Sequence, residues 1–198
     1  IENMGPQVLS VRFESLCVEA RACRKCPELA DKIAVLSELN GSLTPKVFFV
    51  AEAPGRQGAD RTRRPFYGDK SGENLQRLLD SIGLSRDDVF ITNVVKHRPP
   101  GNRNPEPNEI EACTPYLIRQ LDLIQPKVIL ALGTFAAQTL LNTKTPIGKL
   151  RGDVHRYRGI PVVVTYHPAA LLRNPAWKRP TWEDVQLARR ILDNAAGA

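Results

Sequence analysis

The sequence predicts an α/β protein, a three-layer αβα sandwich around a central four-stranded, mainly parallel sheet. Short apolar runs such as residues 47–51 show no alternation of polar and apolar residues, which is typical of strands covered on both faces. These runs alternate along the chain with segments of helical spacing, as βα units joined by right-handed crossovers do. A length of 198 residues suits one domain with a substantial core.

Each element has its own local signal. Leu75, Leu78, Leu79 and Ile82 form one helical stripe, and Gly83 is a natural stop after it. Residues 96–107 contain four prolines and a glycine, which predicts a loop. The predicted strands cover residues 47–51, 88–95, 127–132 and 161–166, and the predicted helices cover residues 6–22, 71–82, 108–123, 133–141 and 182–194.

Composition narrows the class of function. Lys and Arg exceed Asp and Glu by 28 to 21, giving a net charge of +7 that favours a polyanionic partner such as nucleic acid. No apolar stretch approaches the roughly 18 residues of a membrane span, and the first residues show no basic-then-apolar signal sequence. The four cysteines favour a reducing compartment and metal chemistry over disulfides. We therefore expect a cytoplasmic, DNA-associated protein without a membrane partner.

Polar side chains stand where three of the predicted strands end. Glu52 follows the first strand, Asn93 lies near the end of the second, and His167 follows the fourth. Parallel strands bring these ends to one rim, where open α/β sheets bind ligands. Each residue alone has an ordinary structural explanation, such as a turn or cap for the asparagine. Together they predict a functional site.

Five segments resemble the motifs of the family 4, iron–sulfur uracil-DNA glycosylases. They are AEAPG at 51–55, PFYG at 65–68, TNVVK at 92–96, RPPGNR at 98–103 and HPAALLRNP at 167–175, and the resemblance extends over about residues 20–193. It implies a hydrolase of base excision repair that flips uracil out of DNA and cleaves its N-glycosidic bond, leaving an abasic site. The implied substrate is uracil-containing DNA, single- or double-stranded. Residues 1–198 would form one monomeric glycosylase domain with an N-terminal metal-cluster knuckle.

The resemblance implies roles that suit the side chains concerned. A flipped base must be identified by its Watson–Crick edge, and the Asn93 amide can accept from uracil N3–H while donating to O4. Phe66 would stack on the base, and the backbone of Ala53 to Gly55 would supply N–H donors. His167 would donate to uracil O2 as the base leaves.

The water-activating carboxylate departs from the family pattern. An adjacent Glu-Asp pair usually follows the Pro-Gly, but here the stretch is one residue longer and Ala59 stands in place of the glutamate. Asp60 or Glu52 would then orient the water and stabilise the cationic sugar. The same departure motivates an alternative from another class, a nucleic-acid-binding module that keeps the fold and has weak or no catalysis.

DNA contacts are expected on the basic loops around the same rim. The segment 169–173 is similar to the wedge of the family, with Leu172 or Arg173 entering the duplex as apolar and arginine side chains do elsewhere. The predicted DNA-binding residues are Arg56, Arg98, Arg103, Arg151, Leu171, Leu172 and Arg173.

Three of the four cysteines predict a metal centre that needs a fourth ligand. Cys23 and Cys26 form a Cys-x₂-Cys pair, and Cys113 adds a third thiol. The resemblance implies a [4Fe–4S] cluster, and the residues alone equally permit a Cys₃His zinc site. We predict His97 as the fourth ligand because it precedes Cys113 by the interval of the family's third ligand. Cys17 lies on an apolar helical stripe, where a cysteine is usually a small buried hydrophobe.

Overall fold

A five-stranded sheet forms the middle layer of the computed structural model, which describes residues 5–29, 34–55 and 59–196. The strands are β1 Val47–Ala51, β2 Val89–Asn93, β3 Ile129–Leu132, β4 Val154–Tyr157 and β5 Ile160–Thr165. Their order in the sheet is β2-β1-β3-β5-β4, with every pairing parallel except that of β4 with β5. The α-helices are α1 Pro6–Arg21, α2 Ala59–Thr62, α3 Lys70–Ser81, α4 Pro107–Ile124, α5 Thr134–Leu141, α6 Ile147–Leu150, α7 Ala170–Arg173 and α8 Lys178–Ala196. Short 3₁₀ turns span Glu38–Asn40, Arg86–Asp88, Pro100–Asn102 and Pro175–Trp177.

Helices cover both faces of the sheet. Alternate residues of β1 point to opposite sides, so Phe48 and Val50 pack in the core that includes α1, α4 and α5. Val47 and Phe49 pack in a second core with α3 and α8. All residues of β1, β2 and β3 are buried. The predicted αβα sandwich is therefore confirmed.

The fifth strand was not expected. β4 is an antiparallel edge strand, joined to β5 by a tight turn in which Arg158 and Gly159 have φ of +46° and +84°. Its residues alternate between exposed and half-buried, and its arginine and histidine make it look like a solvated basic stretch. Charged side chains on an edge strand protect the open edge from pairing with another chain, and they also conceal the strand in the sequence.

Helix boundaries follow the predicted local signals. Pro107 opens α4, and the Glu109 carboxylate accepts a hydrogen bond from the Glu106 N–H at 2.8 Å. Gly83 follows α3 with φ +69°, a conformation that glycine adopts without strain. No helix within the described residues has the length and apolar character needed to cross a bilayer. That residues 1–198 form one domain stays a prediction.

Candidate functional site

A small cavity lies where β1, β2 and β5 end. Its volume is 110 Å³, well below the ~300–1,000 Å³ of pockets for larger ligands and suited to a single aromatic ring. The parallel register pairs Ala51 with Asn93 and brings the ends of neighbouring strands together. The described residues that line the cavity are Ala53, Pro54, Gly55, Phe66, Asp69, Ser71, Asn93, His167 and Ala169. All five residues predicted to bind the substrate base are among them.

Asn93 presents an unsatisfied acceptor at this cavity. It is the last residue of β2 and is only 2% exposed. Its Oδ1 atom is buried and has no hydrogen-bond partner within the described part of the chain. Buried polar atoms in native proteins nearly always have a partner. The unfilled acceptor is therefore available to a donor that enters the cavity.

A buried lysine fixes the backbone behind Asn93. The Lys96 ammonium is fully buried and donates to Thr92 Oγ1 at 2.7 Å, to Gln120 Oε1 at 2.6 Å and to the Asn93 carbonyl. Burial lowers the pKa of Lys96 to about 7, and three acceptors compensate for the lost hydration. Its backbone N–H also donates to Cys113 Sγ at 3.2 Å. Lys96 has no role among the predicted site residues, although a lysine directly after a buried strand indicates a buried charge that needs partners.

The His167 ring is held as one neutral tautomer. The Ala169 N–H donates to Nδ1 at 3.0 Å, so Nδ1 is the acceptor and Nε2 carries the proton of the neutral ring. Burial and, secondarily, the charge of Arg173 lower the pKa of His167 to about 4. Gly133 packs closely against this residue, because an added Cβ would lie 3.2 Å from His167 Cβ. His167 is thus a neutral N–H donor at physiological pH.

Phe66 forms another wall and is held in an unusual backbone conformation. Its ring lies 5.3 Å from the His167 ring, tilted by 43°. Its φ is +53°, which is uncommon for a bulky residue. Arg86 donates to the Pro65 carbonyl at 2.8 Å and also to the Phe66 carbonyl. Because Arg86 lies in a polar turn, no local pattern connects it with the cavity.

The carboxylates near the cavity include one that the sequence did not predict. Glu52 is half-buried and burial raises its pKa, but it is not among the described residues that line the cavity. Asp60 falls in α2, and its side chain, like all of Arg56, lies outside the described structure. Asp69 does line the cavity, and sequence reasoning missed it because it also serves as the N-cap of α3.

The four predicted metal ligands surround a second cavity. Cys23, Cys26, His97 and Cys113 all line it, between the end of α1 and the first turns of α4. Burial raises the pKa values of Cys26 and Cys113. Cys17 instead lies in the apolar core, where burial raises its pKa to about 11. Cys17 is not among the described residues that line this cavity, and this favours His97 over Cys17.

Two of the predicted DNA-binding arginines have internal partners. Arg103 donates to both Glu109 oxygens at 2.7 and 2.9 Å and to Glu28 at 2.8 Å. Arg151 donates to both Asp184 oxygens at 2.7 and 3.1 Å. Bidentate pairs of this type hold a guanidinium firmly. Both side chains therefore have structural roles, and that either contacts DNA stays a prediction.

The predicted wedge is divided between buried and exposed residues. Leu171 is only 2% exposed, so its assignment to the DNA-contacting surface is corrected. Leu172 is 47% exposed, and Arg173 is exposed beside it at the end of α7. Arg98 donates to Asn102 Oδ1 at 3.0 Å on the adjoining loop. Leu172 and Arg173 are the wedge residues that the structure leaves accessible.

Fold and site together define a class: an αβα protein with a base-sized pocket at the carboxyl edge of its sheet. Residues 40–187 match the family model described as the Uracil DNA glycosylase superfamily. The chain is 43% identical over 171 residues to the type-4 uracil-DNA glycosylase of Archaeoglobus fulgidus, covering 82% of this chain and 84% of the relative. It is 38% identical over 184 residues to the type-4 enzyme of Thermotoga maritima, covering 91% and 94%. A type-5 uracil-DNA glycosylase of Pyrobaculum aerophilum is 32% identical over 179 residues, covering 75% and 79%. The chain belongs to the uracil-DNA glycosylase superfamily.

Proposed function

We propose that this protein is a uracil-DNA glycosylase, which flips uracil out of DNA and hydrolyses its N-glycosidic bond. The observation that carries the proposal is the unpartnered Asn93 Oδ1 in a ring-sized cavity. That oxygen accepts from uracil N3–H while the amide nitrogen donates to O4. Cytosine has no N3–H and carries an amino group at position 4, so it presents the reverse pattern and is rejected. Similarity to the type-4 enzymes supports the same conclusion.

His167 supports the departure of the base. As the glycosidic bond breaks, the sugar becomes cationic and uracil leaves with a negative charge. The neutral His167 donates its Nε2 proton in a hydrogen bond to uracil O2 and stabilises that charge. A preorganised donor of this type contributes about 2.7 to 4 kcal/mol, a factor of about 10² to 10³ in rate. Phe66 stacks on the flipped base and holds it in the plane of these groups.

Hydrolysis also requires a carboxylate that orients water and stabilises the sugar cation. We assign this role to Asp60 or Glu52. If Asp60 is the base, Asp60→Asn slows single-turnover excision more than Glu52→Gln, and the reverse order assigns the role to Glu52.

The described residues fit a metal centre in the chemistry of their donors. Cys23, Cys26, Cys113 and His97 would hold a [4Fe–4S] cluster, which when bound would cross-link the end of α1 to α4. As they stand, no three His, Cys, Asp or Glu side chains within the described residues are arranged to hold a metal ion. A Cys₃His zinc site is the less favoured alternative that the same four residues permit.

The ligand set is tested by colour and by iron and sulfide content. The protein should purify brown, and Cys17→Ser should keep its absorbance and iron. His97→Ala should lose both, and the matched variant His97→Cys should retain them. A colourless protein that contains one zinc per chain would support the alternative centre. Bleaching by Cys17→Ser alone would transfer the fourth position to Cys17.

The substrate partner would be DNA, held by the exposed basic residues near the cavity. Arg173 ends α7, and Arg98 lies on the segment that follows β2. Binding to a uracil-containing duplex should therefore weaken steeply with salt, by about 0.9 log units per log unit of salt for each phosphate contacted. A flat salt response would contradict electrostatic binding of DNA.

The activity is tested with a uracil-containing oligonucleotide followed by alkali, which breaks the strand at abasic sites. The wild type should produce breaks, and Asn93→Ala should slow single-turnover excision about 10²-fold or more while DNA affinity changes little. Asn194→Ala removes an exposed amide from α8 and is the matched control, with no expected effect. A shift in gel mobility without strand breaks would support the alternative binding module and overturn the proposal.

A further inference from the structure

Asp69 is a carboxylate in the wall of the base cavity that the mechanism above does not use. Its Oδ1 accepts from the Gly72 N–H at 2.7 Å, as the cap of α3. Its Oδ2 lies 3.5 Å from the position that a Cβ on Gly55 would occupy. Since Gly55 has no side chain, the Asp69 carboxylate lies at the edge of the space that a side chain at position 55 would fill.

The carboxylate cannot easily move away from this position. A Cβ on Gly72 would lie 2.4 Å from the Phe66 carbonyl oxygen and 3.1 Å from Asp69 Oδ1. The first turn of α3 is thus packed directly against the backbone of Phe66, which Arg86 holds in turn. With one oxygen bonded to this rigid turn, the other has a defined place beside Gly55.

The remaining walls determine which part of the base meets Asp69, and this step depends on the proposed function. Asn93 occupies the N3 and O4 edge of uracil, His167 binds O2, and Phe66 covers a face. In a pyrimidine ring C5 lies opposite C2, so the C5 position points away from His167. Apart from these three side chains, the described residues that line the cavity are small or apolar except for the carboxylate of Asp69, which we place at C5.

We propose that Asp69 determines base specificity by excluding a methyl group at C5, so that uracil is accepted and thymine is rejected. In uracil C5 carries only a hydrogen, so the Asp69 carboxylate keeps its space and its hydration. A C5 methyl group would press an apolar surface against an ionised oxygen, and burying a charge without a partner is strongly unfavourable. A purely apolar pocket discriminates a single methylene by only about 10- to 200-fold. A charged wall gives stronger discrimination than shape alone.

The test compares excision of uracil, thymine and 5-bromouracil, each opposite guanine, under single-turnover conditions. The measured quantity is the ratio of the uracil rate to the rate for each C5-substituted base. Asp69→Ala should lower this ratio at least tenfold, chiefly through faster excision of 5-bromouracil. Asp69→Asn keeps the shape and the cap while removing the charge, and it should lower the ratio by a smaller factor. This second variant keeps the test valid if the alanine variant folds poorly.

The matched control is Asp88→Ala, which removes another carboxylate that accepts from a backbone N–H, that of Ser85 at 2.9 Å, away from the cavity. For this variant, the ratio of the uracil rate to the rate for each C5-substituted base should equal that of the wild type. If Asp69→Ala is folded and slows all three bases equally, Asp69 acts only as a helix cap and the inference is overturned. If the wild type excises no uracil, the proposed function itself fails, which is a distinguishable result.

Discussion

The neutral state of His167 leads to a prediction about pH. The Ala169 N–H donates to Nδ1 at 3.0 Å, so a second proton on the ring would have to displace this bond. Burial and the charge of Arg173 lower the pKa of His167 to about 4. The neutral donor should therefore persist throughout the range from pH 8 to 5.5, and excision should show no imidazole titration near 6.5.

The same shift has a defined effect on stability. In the unfolded chain a histidine titrates near 6.5, so between pH 6.5 and 4 the unfolded state binds the proton more readily than the native state. Stability from this group is fully present above pH 6.5 and is lost as pH falls toward 4. At about 1.4 kcal/mol per pKa unit the total is about 3 kcal/mol, of which about 2 kcal/mol is lost by pH 5.

The contribution of His167 to stability is measured by denaturant unfolding of the wild type and of His167→Ala at pH 7.5 and 5. The wild type should lose about 2 kcal/mol more than the variant over this interval, because only the wild type has the depressed histidine. Arg173→Ala should raise the pKa of His167 toward its unfolded value, so the loss of stability should be smaller and should be complete at a higher pH. If both proteins show the same pH dependence and wild-type excision falls with an apparent pKa near 6.5, His167 titrates normally and the reasoning is refuted.

Four further substitutions test contacts around the site. Lys96→Met should destabilise the protein by about 1 to 3 kcal/mol, because it leaves buried acceptors unpaired. It should also slow excision by releasing the Asn93 backbone. Denaturant unfolding measures the first effect, and single-turnover rates measure the second. Arg86→Ala should slow excision about tenfold with a smaller loss in thermal melting temperature, and equal excision rates would show that the arginine does not position the stacking ring. Leu171→Ala should lower the free energy of unfolding by about 2 to 5 kcal/mol and leave the rate per folded molecule similar. Leu172→Ala should do the opposite, impairing base flipping, measured with a fluorescent base analogue, without changing stability.

Local patterns in the sequence were sufficient for the main architecture and for the principal groups of the site. The unbroken apolar run of β1 indicates burial on both faces because a strand exposed on one face needs polar residues at alternate positions. The same logic places Asn93 and His167 at one rim, since parallel strands share an edge. These inferences succeed because they depend on residues that are neighbours along the chain.

Tertiary structure decided the features that depend on distant parts of the chain. The edge strand β4 is stabilised by pairing with β5 and not by its own composition. Leu171 is buried and Arg103 is paired with Glu109 only because their loops fold back onto the body of the protein. The proximity of Asp69 to Gly55 depends in the same way on the path of the chain between them. A sequence lists the groups that are able to bind or react, whereas the packing of its loops determines which of them meet in one cavity.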